Sequence, residues 1–204
     1  MTVIHHKLDI PEDLKKCVAF HGHICPGLVY GYLVAREAMQ RLALQRAMDE
    51  EVVAICECDS CAVDALQVLL GTTAGKGNLM ISDFGKNAYT VMHRSGRRAY
   101  RFARKERYEY QGEAKSVYDR LESAFAAGTA SAEDRRYMKL LKVEDLLTRP
   151  FDEVFTTLEA PFDEPRYAPL EHSEPCGLCG EMTMDTKLVK LGDGRCICIP
   201  CAQR

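Results

Sequence analysis

Residues 51–93 read EVVAICECDSCAVDALQVLLGTTAGKGNLMISDFGKNAYTVMH, and the fold turns on them. The β-branched content of residues 51–57 predicts a strand running straight into CDSC, and residues 62–70 follow as a helix that stops at Gly71. A glycine-rich turn, TTAGKGN, leads to a second strand at 79–84, and a tight GKN turn leads to a third at 88–93.

Upstream, PEDLKKCVAF opens with a proline and two acids, as a helix start does, and delivers the chain to HGHICPG. Leu28, Tyr32, Ala35, Met39 and Leu42 recur at helical spacing, which predicts a long helix over 27–48 whose Gly27, Gly31 and Ala35 form a smooth ridge for close packing. Downstream, RAYRFA at 98–103 is a further strand. Helices follow at 113–127, again after Ser131, whose spacing to Asp134 suggests a capping box, and at 143–158 with a break at Pro150. Helix, strand, helix, then strands, then helices implies an α+β domain, with a mainly antiparallel sheet covered by helices. The expected organisation is a core over 1–158, a linker over 159–174 that holds three prolines and five acids, and a small module over 175–204.

The whole chain has 204 residues, 47% hydrophobic and 28% charged, the balance of an ordinary globular protein. No apolar run approaches the ~20 residues of a spanning helix, and the first residues lack the apolar stretch of a signal peptide, so the expected location is the cytoplasm with no membrane contact. Ten cysteines in such a setting point to metal binding or catalysis rather than to disulfides. A net charge of -3 gives no general attraction to nucleic acid.

The C-terminal run carries Cys176-x2-Cys179, eighteen intervening residues and Cys198-x2-Cys201, the ligand spacing of a structural tetrahedral zinc site. Gly177 and Gly180 suit the two knuckles, and the segment between alternates as a β-hairpin turned by Gly-Asp-Gly. About thirty residues cannot bury enough apolar surface to fold alone, so the metal has to supply on the order of 10 kcal/mol. Cys196 fits neither pair and is expected to face away. The module is a zinc ribbon or a treble clef; in the latter case its final helix is absent or a stub.

In the core, His21, His23 and Cys25 alternate along an extended segment just before a helix start, where the helix dipole favours a thiolate. Cys56, Cys58 and Cys61 form a second group of candidate ligands. A mixed imidazole and thiolate set suits zinc, iron or another transition metal, and zinc is the expected core ion. Lys76 and Lys86 each sit in a glycine turn and are candidates, with Cys25, for catalytic work on an anionic substrate.

The blocks FHGHICPGLVYGY at 20–32, CDSCAVDALQVLLGTTAGKGNL at 58–79 and DFGKNAYTV at 83–91 resemble, in this order, those of the E-subunit family of formylmethanofuran dehydrogenase. The resemblance spans about residues 10 to 105, and a family treble-clef zinc finger corresponds to 175–204. It implies an α+β core, a metal-associated site, a homodimer and an association with molybdenum or tungsten enzymes. The family's site residues fall on His21, His23, Cys25, Cys61, Asp64, Lys76, Asp83, Gly85 and Lys86. Phe84 stands where the family often has a tyrosine.

Two functional classes follow. One is an accessory or stand-alone metal protein of molybdenum or tungsten enzyme metabolism, whose own enzymatic activity is left open. The other is a zinc-finger nucleic-acid regulator, for which seven of the fourteen residues from Arg94 to Arg107 are basic, although 175–204 carries only four basic against three acidic side chains.

Overall fold

The computed structural model describes residues 9–168 and 171–204. The first eight residues, read above for a signal peptide, and positions 169 and 170 of the expected linker lie outside them. The chain divides into two compact units, 1–165 and 166–204.

The first unit runs α1 (Glu12–His21), α2 (Pro26–Leu42), β1 (Val52–Cys56), α3 (Ala62–Leu70), β2 (Leu79–Ile81), β3 (Ala88–His93), β4 (Arg98–Arg104), α4 (Lys115–Ala126), α5 (Ala132–Thr148), α6 (Phe151–Val154) and β5 (Phe155–Glu159). The five strands lie in the order β2-β1-β3-β4-β5. Only β1 and β2, which flank α3, are parallel; every other pairing is antiparallel. The fold is therefore α+β, as expected.

Side chains alternate cleanly across the sheet. Val52, Ala54 and Cys56 of β1, Tyr89 and Val91 of β3 and Phe102 of β4 join the main core with α1, α2, α3 and α5. Val53, Met92 and Ala99 point the other way, where Ala160 and Phe162 pack on them. Helices thus cover one face of the sheet, and chain following β5 lies on the other.

Three boundaries differ from the periodicity. The predicted helix over 27–48 ends at Leu42, because Ala43 turns left-handed at φ 51 and the chain bends to bury Leu44 and Ala47. The helical reading of 143–158, with its break at Pro150, holds through α6 and fails after Val154. Pro150 holds Arg149 in an extended conformation, and Phe155-Thr156-Thr157 then pairs with the edge of β4 as a strand. The strand expected over 79–84 narrows to 79–81, since Ser82 to Lys86 fold over the end of β1.

The small-residue ridge of α2 faces α3. A methyl group on Gly31 would lie 2.1 Å from the Ala62 carbonyl oxygen, so the two helix backbones touch directly at that point. This apposition carries the N-terminal ends of α2 and α3 to one end of the sheet.

The second unit holds two short hairpins. β6 (Ser173–Pro175) pairs with β7 (Met182–Met184), and β8 (Leu188–Lys190) pairs with β9 (Cys196–Cys198), before α7 (Ile199–Ala202). The Gly-Asp-Gly turn sits between β8 and β9, with Gly194 at φ 88. The β6–β7 pair has no counterpart in the sequence reading, because its strands are only three residues each. No helix among the described residues is long and apolar enough to cross a membrane.

Candidate metal centres

At the core site, His21 is the last residue of α1, and Gly22, left-handed at φ 90, reverses the chain after it. Three residues on, Cys25 caps α2, its sulfur accepting the Leu28 N–H at 3.4 Å. The reversal stacks the His21 and His23 rings with centroids 4.5 Å apart and brings Cys25 Sγ to 3.8 Å from His21 Nε2. One ligand atom from each of His21, His23 and Cys25 lies within 4.8 Å of the other two.

α3 adds two groups. Asp64, in its first turn, accepts from His21 Nδ1 at 2.7 Å, and Gln67 holds the other carboxylate oxygen at 3.1 Å. With Nδ1 as the donor, the His21 tautomer leaves Nε2 as a lone pair facing Cys25. Cys61, at the N-terminal end of α3, stands beside Cys25. A methyl on Gly27 would lie 3.6 Å from Cys61 Sγ and 3.8 Å from Cys25 Sγ, so the glycine keeps the space between the two sulfurs open. Burial and the Cys25 sulfur push the Cys61 thiol up. Cys61 flanks the histidine cluster without being one of its three mutually close members.

The other members of the cysteine run are built into the protein. Cys56 is fully buried and its thiol is pushed up to about 12 by that burial. Cys58 lies 3.3 Å from the Ser60 hydroxyl and 3.5 Å from the Tyr89 hydroxyl, in a buried triangle that the sequence did not reveal. Of the three cysteines at 56, 58 and 61, only Cys61 comes next to the cluster.

The two lysines separate. Lys86 lies at the same end of the sheet as the cluster, because the N–H groups of Phe84 and Lys86 both donate at 3.0 Å to the Glu57 carbonyl just beyond β1. Gly85, at φ 66, donates to Asp83 and closes this turn. Lys76 lies past the opposite end of α3, its ammonium donating to the carbonyls of Ala47, Met48 and Asp49 ahead of β1. A nine-residue helix spans about 13 Å, so α3 holds Lys76 away from Cys61. The structure therefore does not bring Lys76 to the candidate site; the lysine pins the loop that enters β1, together with Asn78, which donates to the Asp49 and Val52 carbonyls.

In the second unit, one sulfur from each of Cys176, Cys179, Cys198 and Cys201 lies within 4.8 Å of the other three. The N–H groups of Cys198 and Leu178 donate to Cys176 Sγ at 3.2 and 3.5 Å. Backbone donors from Cys179, Cys198 and Leu178 hold the Cys176 thiol down to about 6, as befits a thiolate ligand. Cys196 is exposed and outside the set. Among the described residues, Cys176, Ile197, Cys198 and Cys201 form the buried cluster of this unit, with Leu188 and Leu191 packed against it. Four convergent sulfurs with N–H···S support fit a tetrahedral ion.

A protein-family model described as FmdE, molybdenum formylmethanofuran dehydrogenase operon, matches residues 20–156. A probable S-adenosyl-L-methionine-binding protein of Archaeoglobus fulgidus is 30% identical over 202 residues, covering 93% of this chain and 52% of that protein. The chain thus spans about half the length of that relative. A crystal structure of a tungsten formylmethanofuran dehydrogenase FmdE-like protein from Syntrophus aciditrophicus superposes with a TM-score of 0.60 at 20% identity, covering 94% of this chain and 90% of that one.

Proposed function

This chain belongs to the FmdE family, and from that premise we propose that it is a two-centre metal protein serving molybdenum or tungsten enzyme metabolism in the cytoplasm. The observation that carries the reading is the close approach of His21, His23 and Cys25, with His21 oriented by Asp64. The core ion is a transition metal, with zinc the first choice, held by His21 Nε2, His23 and Cys25, with Cys61 as a second sulfur beside these three. Three protein ligands leave a position at which a substrate is polarised when the ion is bound. Cys25 and Cys61 then offer sulfur at the ion, Asp64 fixes the His21 ring, and Lys86 supplies positive charge at the same end of the sheet. Lys76 takes a structural role. The C-terminal ion is zinc in a treble clef whose helix is reduced to α7, and the active form is a homodimer, with core 1–158, linker 159–174 and zinc module 175–204.

Elemental analysis of the purified chain tests this. Two metals per chain are expected, falling to one in His23→Ala/Cys25→Ala and to one in Cys176→Ser/Cys179→Ser. A wild-type protein with one metal, unaffected by the core substitutions, overturns it.

The 30% identity to a protein named for S-adenosyl-L-methionine binding, running along 93% of the chain, favours a second reading in which the core binds that sulfonium ligand. Equilibrium dialysis with labelled S-adenosyl-L-methionine decides it, and no retention at millimolar ligand rejects it.

A further inference from the structure

The basic run from Arg94 to Arg107 is not absorbed by either metal centre. Its second half, together with Lys86, lines a groove of about 320 Å³ whose walls include Lys86, Arg101, Arg104, Lys105 and Arg107, with Glu106 as the one acid. The cations differ in how they are held. Arg101 is neutralised by a two-pronged pair with Glu57, at 2.6 and 3.0 Å. Lys105 donates to the Asp152 carbonyl, which is a dipole and not a charge. The Arg104 guanidinium lies 5.5 Å from the centre of the Tyr30 ring, and among the described residues neither it nor Lys86, Lys105 or Arg107 is ion-paired with a carboxylate.

A further cation crowds the same ring. Lys142 of α5 lies 5.9 Å from the centre of Tyr30 and 4.0 Å from that of Tyr108. Burial, with Arg104 and Arg149 nearby, draws its ammonium down to about 8. A smaller cavity of about 90 Å³ shares Arg104, Glu106 and Arg107 with the groove; its walls add Arg149 but also Glu109 and Glu153, so its charges balance and the surplus of positive charge lies in the larger space.

We propose that this groove binds a phosphorylated small molecule, its phosphate oxygens taken by the guanidinium groups of Arg104 and Arg107 and the ammonium of Lys86. Guanidinium forks match phosphate geometry, and unpaired cations gathered in one concavity are better neutralised by a dianion than by a single carboxylate. The volume is that of a small-ligand pocket, at the lower end of about 300–1,000 Å³, and the net charge of -3 gives no long-range attraction for a polymer of phosphates. The proposal goes beyond the metal-centre reading and does not depend on it, since ligand binding and metal content are read separately.

Isothermal titration calorimetry of the full chain with inorganic pyrophosphate, orthophosphate and acetate tests it. Pyrophosphate is expected to bind best and acetate not at all. Arg107→Gln, at an exposed position, and Arg104→Gln/Arg107→Gln should weaken pyrophosphate by about tenfold or more, whereas Arg97→Gln/Arg98→Gln, outside the groove, should not. The proposal is overturned by a silent pyrophosphate titration, by equal losses in the Arg97/Arg98 control, or by acetate matching pyrophosphate. It also falls if a single-stranded oligonucleotide binds with the same Arg104 and Arg107 dependence while pyrophosphate does not.

Discussion

His21 and Asp64, forty-three positions apart, meet at 2.7 Å, and the carboxylate that receives the ring is itself held by Gln67 on the next turn of α3. A ring fixed at one nitrogen presents the other at a set angle, so the carboxylate governs metal affinity without touching the ion. Asp64→Asn is expected to weaken metal binding at the core site by about 10- to 100-fold while leaving the C-terminal site loaded. Chelator competition followed by metal analysis reads both sites in one sample, and an unchanged core affinity rejects the orienting role.

The direct contact between Gly31 and Ala62 makes a second prediction. Gly31→Ala places a methyl 2.1 Å from a backbone oxygen, which no side-chain rotation can relieve. A loss of about 1–3 kcal/mol is expected in denaturant unfolding, since overpacking of this kind forces backbone movement. Gly75→Ala is the control, because nothing lies within 4 Å of its new methyl, and it should be close to neutral.

Lys142 gives a pH dependence of definite sign. Its folded value, about 8, lies below the ordinary 10.5, so between these values the unfolded chain holds more protons than the folded one. Stability should therefore rise as pH climbs from about 8 towards 10.5, by on the order of 1–2 kcal/mol after allowance for the partial exposure of the group. Lys142→Met should flatten that rise. Urea midpoints of the two proteins, measured at steps across this range, make the comparison, and parallel curves count against the assignment.

Among the described residues of the second unit one isoleucine and three cysteines are buried, too small a core to hold a fold unaided. Removal of metal by a strong chelator should abolish hydrogen-exchange protection between residues 173 and 202, while the strands of the first unit keep theirs. Protection that persists in the demetallated module would mean that packing, and not the ion, supports it.

Much of the architecture was legible because its cues are local. Ser131 and Asp134 do form a reciprocal cap at the start of α5, and the β-branched content of residues 51–57 does mark β1. What escaped was fixed by pairings distant in the chain. Phe155–Glu159 becomes a strand because β4 offers an open edge, a circumstance that helical periodicity does not encode. The grouping of His21, His23 and Cys25 follows from their closeness in the chain, but its cause is not the expected extended segment: His21 ends α1 and Gly22, left-handed at φ 90, turns the chain back. The choice of Cys61 over Cys56 and Cys58 depends on where α3 begins. Lys76 and Lys86 look alike in sequence, each in a glycine turn, yet α3 lies between their positions and sends one away from the site. The Glu57–Arg101 pair and the crowding of Lys142 against Tyr30 bring together positions 44 and 112 residues apart (142 − 30 = 112), with no motif to announce them.

Where α2 and α3 meet, main chain rests on main chain, with no yielding side chain between them. Cys25 and Cys61 ride on the leading ends of those two helices, so their spacing is inherited from a rigid joint. A coordination sphere mounted in this way cannot dilate for an oversized guest. Discrimination among ions should then follow radius as much as chemical softness, with cadmium favoured over zinc or cobalt by less than its preference for thiolate alone would give.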